Sequence, residues 1–210
     1  MARLPHVGDV TGPAVGRHHG NRYGRSENAR RAVLHAVDDL LVEVGFAGLT
    51  MERIAARAGV GKQTVYRWWS SKVDVLLEAL GDDLAEELTP ADHGDLREDL
   101  SGHRAAVAAF LTTADAGAVF RALLGQAQHD PELARRLREE QVRGQQTRDR
   151  LPLERAVARG ELSPQTDLDE AVKQLVGPIY YRVLVTGAPV PPGFTDGLVD
   201  RFLLGCVRHG

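Results

Sequence analysis

Apolar residues recur along the chain with the period of an α-helix, and glycines, prolines and capping residues divide them into segments. After Ser26, which suits an N-cap, Val33, Val37, Leu40, Leu41 and Val44 share one helical face that Gly45 ends. Thr50 caps a second helix with Ile54, Ala55 and Ala58 on its apolar side, closed by Gly59 in the left-handed conformation that glycine adopts without a Cβ clash. A third begins near Gly61 or Lys62, with Val65 and Trp69 facing inward. Ser71 followed by Asp74 is a capping-box pattern, introducing Val73, Leu76, Leu77 and Leu80. Beyond Gly81 the spacing predicts helices over about 96–113 and 115–129. Another starts at Asp130-Pro131 and reaches Arg159, kinked or split at Pro152. A further helix runs from Asp167 to Val185, bent at Gly177-Pro178, and a last one from a Thr195 cap to about Val207. No alternating strand pattern or internal repeat is present. The expected fold class is all-α: an arm over 1–25, disordered for lack of any periodicity, a three-helix head over 26–80, and a larger helical body over 81–210.

Residues 50–72 carry the most chemistry. Two short helices joined by a tight glycine turn are the layout of a helix-turn-helix, whose second helix enters the major groove of DNA. Once Val65 and Trp69 are turned inward, Lys62, Gln63, Thr64, Tyr66, Arg67 and Trp68 are left outward or sideways, a set rich in donors and aromatics and free of acids. Lys62, Gln63 and Thr64 stand at the helix start, where side chains reach base edges; lysine suits guanine O6/N7 and glutamine adenine N6/N7. Thr50, Tyr66, Arg67 and Lys72 suit phosphates and set the docking angle, with the Gly61 amide as a backbone donor. Trp68 stacks on sugar-phosphate or braces the head. Arg30 and Arg31 fit phosphate contacts or a solvated face.

The residues Leu49-Thr50, Ile54-Ala55, Ala58-Gly59-Val60, Thr64-Val65-Tyr66, Trp69 and Ser71-Lys72, followed by a leucine-rich helix, resemble the tetracycline-repressor (TetR) family of bacterial transcription regulators. The motifs cover residues 27 to 80. Gly61 departs from the family, which often has a polar side chain there, and the Trp68-Trp69 pair is also unusual. The resemblance implies a dimer formed by the last two helices, here with Ala171, Leu175, Ile179 and Val183, then Leu198, Phe202 and Val207, although intrachain core explains the same residues. It also implies a small effector enclosed by the middle helices. Phe110, Leu111, Phe120, Leu124, Tyr180 and Tyr181 are the candidate walls, suited to a largely apolar ligand, or else ordinary core. The expected function is a dimeric repressor released from a palindromic operator by that effector. An activator, and a helix-turn-helix used for non-specific DNA or protein contact, remain alternatives.

Charge distribution agrees with this division. The chain's net charge of −3 hides 11 basic against 7 acidic residues over 1–75 and 15 against 22 over 76–210. A basic front on an acidic body suits a DNA-binding head. Arg17, Arg22 and Arg25 give the arm a reach into the minor groove, or make it a plain solvated tail. A single cysteine, Cys206, in an apolar stretch, excludes an intramolecular disulfide and reads as a small buried hydrophobe. No run of about 18 apolar residues and no apolar leader core are present, so a membrane partner is not expected and the cytoplasm is. His18-His19 lacks further ligands for a metal. HExxH, GxSxG and phosphate-loop motifs are missing, so neither catalysis nor a cofactor is expected. His35 with Asp39, and Asp99 with His103, read as surface helix pairs.

Overall fold

The structure, a computed structural model, describes residues 22–207. Expectations for Arg17, for His18-His19 and for most of the 1–25 arm lie outside these residues, as do those for the side chains of Arg22, Arg25, Cys206 and Val207. Ten α-helices follow one another among the described residues: α1 (Arg22–Gly48), α2 (Met51–Arg57), α3 (Lys62–Tyr66), α4 (Lys72–Glu87), α5 (Leu96–Thr112), α6 (Asp115–Ala127), α7 (Pro131–Leu137), α8 (Arg143–Arg159), α9 (Leu168–Tyr180) and α10 (Phe194–Val207). Single π-helical turns, Arg138–Val142 and Tyr181–Val185, join α7 to α8 and extend α9. No strand occurs among the described residues.

In the head, local chemistry settles the elements. Thr50 accepts from the Arg53 amide at 3.3 Å and so caps α2. Gly45 and Gly59 both turn the chain with φ +67°, in the region that favours glycine. Ser71 and Asp74 form a reciprocal capping box at the start of α4. One expectation is corrected here: helix α1 begins at Arg22, so Ser26 lies inside it and is not its cap. Helix α4 passes through Gly81 to Glu87. Glycine in a helix interior costs only about 1 kcal/mol, less than the burial of Leu76, Leu77, Leu80 and Leu84 on the same helix supplies.

Packing then joins the two regions. Val33, Val37, Ile54, Val65, Trp69, Leu76 and Leu80 are buried in one apolar cluster that continues without a break into Phe110, Val119, Phe120, Leu133 and Leu137 of the body. A second cluster, around Leu100, Leu153, Leu175 and Val199, lies wholly in the body. Helices α5 and α6 cross so closely that a Cβ on Gly117 would fall on the Phe110 carbonyl oxygen. Pro152 does not split its helix: α8 continues through it to Arg159. Helix α10 starts at Phe194, one residue before the expected Thr195 cap.

Candidate nucleic-acid interface and ligand cavity

Burial of Val65 and Trp69 orients α3. The Trp69 indole donates to Glu78 Oε2 of α4 at 2.6 Å, and Arg30 of α1 donates to the other oxygen of the same carboxylate. Arg30 also meets Glu27 and Asp82, so it ties α1 to α4 and is not a free phosphate ligand. On the opposite face Lys62, Gln63, Tyr66 and Arg67 are exposed, with Thr64 and Trp68 partly covered. Gly61 is the N-cap of α3, extended at φ −66° and without a side-chain bond. Trp68 meets Trp69 edge to face at 5.3 Å, while the Arg67 guanidinium stacks 5.0 Å from the Trp68 ring. A ladder of rings thus stiffens the end of the recognition helix.

Two lysines are engaged. Lys62 pairs with Glu52 of α2, which holds the Glu52 carboxyl below its usual range. Lys72 donates to the carbonyls of Phe46 and Leu49 at 2.6 and 3.1 Å, and its ammonium sits 4.2 Å from the Phe46 ring. Burial lowers its pKa. The side chain assigned to phosphate therefore staples the end of α1 to α4, spending two of its three protons there.

In the body a cavity of about 260 Å³ opens among α4, α5, α6, α8, α9 and the first π turn. Its apolar wall includes Leu84, Phe110, Phe120, Val172, Val176 and Tyr180; its polar wall is Gln141, Gln145, Gln146 and Asp149. Phe120 stands edge to face with Tyr180 at 6.2 Å and tilted against Phe110 at 6.4 Å. Of the candidate effector residues, Phe110, Phe120 and Tyr180 line this space. Leu111 does not: it is buried in the core beside it. Leu124 and Tyr181 line a separate, open groove on the α6 and second π-turn surface, which Tyr180 also touches.

Behind the polar wall lies a buried ion pair. Asp149 Oδ1 accepts from His103 Nε2 at 2.9 Å, Arg104 Nη2 at 3.2 Å and Gln145 Nε2 at 3.1 Å. Burial lowers the His103 pKa against the pull of Asp149, so the ring is neutral with its proton on Nε2. Burial also lowers that of Arg104, which stays charged, and raises that of the Tyr180 phenol. The expected surface pair of Asp99 and His103 is thereby overturned. Both are buried, and Asp99 accepts instead from the His93 amide at 2.7 Å and from Arg159. His35 and Asp39 are exposed, Asp39 facing Arg57 at 3.5 Å.

The head and the body each match a family model: residues 33–79 match bacterial regulatory proteins of the tetR family, and residues 90–202 the tetracyclin repressor-like C-terminal domain. An HTH-type transcriptional regulator of Bacillus subtilis, YdeS, is 34% identical over 86% of this chain and 91% of its own. The chain belongs to the TetR family. The crystal structure of the TetR family transcription regulator SCO0332 shares 35% identity with it at a TM-score of 0.73, over 85% of this chain and 98% of that one. A DNA-binding transcriptional repressor, TetR, of Mycobacteroides abscessus is 29% identical over 89% of this chain and 97% of its own. The protein is a helix-turn-helix transcriptional regulator that binds DNA.

In this TetR-family regulator the expected dimer residues Ala171, Leu175, Ile179 and Leu198 are intrachain core. The large apolar side chains left exposed after the start of α9 are Tyr181, Val185 and Leu204. Gln141, Gln145 and Asp149 were missed as cavity residues. Their spacing of four puts them on one helical face, a visible signal, but a polar stripe reads first as a solvated face. No single helix among the described residues is long and apolar enough to cross a membrane.

Proposed function

We propose that the protein acts in the cytoplasm as a homodimeric repressor that leaves a palindromic operator when a small, largely apolar effector fills the cavity of the body. The observation that carries this reading is continuity: α4 begins next to the recognition helix, shares its core, and reaches the cavity at Leu84. Gln141 lines the cavity, donates to the Leu77 carbonyl of α4 at 2.6 Å and packs on Gly81. Arg136, one turn earlier, holds Asp74 at the N-terminus of α4 at 2.6 Å. An effector that presses on Gln141 shifts α4, and with it α3. Its power to do so is limited to the difference in its affinity for the two positions of the helix.

On DNA, Lys62, Gln63 and Thr64 read bases, while Thr50, Tyr66, Arg67 and the Gly61 amide hold phosphates. Lys62 must first leave Glu52. Tyr181, Val185 and Leu204 are offered as the subunit contact, which sets the two recognition helices about 34 Å, or a multiple, apart. The repressor named among its relatives agrees with this direction of control. The test is selection of bound sequences from random duplexes by the purified chain. A palindrome with half-sites one or two turns apart is expected; recovery of single half-sites alone, or of no motif, sinks the dimeric operator reading.

A further inference from the structure

Resting on the reading that this cavity takes the effector, we infer that the effector is an uncharged, mainly aromatic molecule whose hydroxyl or N–H donates to Asp149 Oδ2. Asp149 lines the cavity and is buried. All three of its donors converge on Oδ1. Oδ2 accepts from no described residue, yet it is not among the sealed, unpaired atoms, a group that includes Arg104 Nε and Nη1. It is therefore an open carboxylate acceptor on the cavity wall. A buried acceptor left short of partners is costly, and a ligand donor relieves that cost.

Charge selects the class of donor. Arg104 and Asp149 cancel, and His103 is neutral. A carboxylate ligand would set a second anion beside Asp149. An ammonium would set two buried cations around one carboxylate. Either leaves a net charge in a poorly solvated site, which an uncharged donor does not. Arg148, bonded to Gln145, and Lys173, facing Glu170, stand partly in solvent, where screening weakens them.

The walls select the rest of the molecule. Phe110, Phe120 and Tyr180 present ring faces and edges to one another across the apolar side, an arrangement that accepts another flat ring. A volume of about 260 Å³ is roughly nine times the 30 Å³ share of a water in the liquid. That is room for one or two fused rings.

The experiment uses the full chain in titration calorimetry with four probes of one size: β-naphthol, β-methoxynaphthalene, β-naphthoate and β-naphthylmethylamine. The naphthol is expected to bind about tenfold or more tightly than the methoxy compound, and more tightly than either ion. Gly177→Leu, at a cavity-lining position where an added Cβ meets no neighbour, should weaken it. Equal binding of the methoxy compound, or tightest binding of an ion, with Gly177→Leu still weakening it, overturns donor recognition and leaves the cavity as the effector site. Binding of none of the four, or indifference to Gly177→Leu, overturns both.

Discussion

The head and the body of this regulator treat charge in opposite ways. In the head, Lys62, Gln63, Tyr66 and Arg67 stand in solvent on a helix held from behind by apolar burial and by the Trp69–Glu78 bond. Their partners are surface ones, such as Glu52, that DNA can replace. In the body, Arg104, Asp149 and His103 are buried beside a cavity, and Asp149 holds the other two. A long, flexible polyanion is met by charges that water keeps mobile. A small ligand is met by groups whose desolvation is already complete before it arrives, so that a single open acceptor discriminates among ligands. The difference also predicts where substitutions matter for folding and where they matter for binding alone.

The largest effect should come from Arg104→Met, which leaves the Asp149 charge buried without its cation. A loss of about 3–5 kcal/mol in urea unfolding is expected, with much of it recovered in the double variant Arg104→Met/Asp149→Leu. A loss below about 1 kcal/mol would remove the contrast between the regions. Next is Lys72→Met, which cuts the staple to Phe46 and Leu49 and should cost about 1.5–3 kcal/mol of stability. An unchanged melt together with a flatter salt dependence of operator binding would return Lys72 to the phosphates.

A third prediction concerns the junction where α1, α4 and α6 meet. Burial, then the charges of Asp83, Asp39 and Asp115, push the Asp38 carboxyl up to about 7, and burial, then Glu87, Asp82 and Glu86, push Asp83 up to about 6. Asp38 Oδ1 has no partner among the described residues. A carboxyl whose folded pKa is raised contributes stability that is complete below its unfolded pKa, near 3.8, and is lost as pH rises through about 7. Asp38→Asn should therefore stabilise the protein at pH 8, on the order of 1 kcal/mol once solvent screening is allowed for, and do little at pH 4. A gain that does not change with pH would show that Asp38 is not titrating in this window. The smallest effect is Glu52→Gln, which frees Lys62. Operator binding should tighten by up to about fivefold at low salt and converge with the parent at high salt; weaker binding would mean that Glu52 positions Lys62 and does not merely compete for it.

Sequence and structure agree best where the determinants are neighbours along the chain. Thr50, Gly59 and the Ser71–Asp74 box each act within a few residues, so the helix-turn-helix was legible down to single positions. Helix periodicity likewise located most of the body. Limits that depend on distant packing were not legible: the passage of α4 through Gly81, the survival of α8 across Pro152, and the two π turns have no local signature, because burial elsewhere along the helix outweighs a local penalty of about 1 kcal/mol for glycine or about 3 kcal/mol for proline. Phe110, Phe120 and Tyr180 were found because aromatic residues on apolar faces are conspicuous. Gln141, Gln145 and Asp149 were not, because a polar stripe looks the same whether it faces water or a cavity.

By itself, then, the order of residues determined the all-α class, the helix-turn-helix and which of its side chains face outward, since capping, turn chemistry and helical period are short-range effects. The tertiary structure alone decided that Lys72 is a staple, that His103 pairs with Asp149 and not Asp99, and that one carboxylate oxygen is open to the cavity. Those facts rest on contacts between residues far apart in the chain, such as His103 and Asp149 or Lys72 and Phe46, and such contacts exist only once the apolar faces of the helices have been buried together.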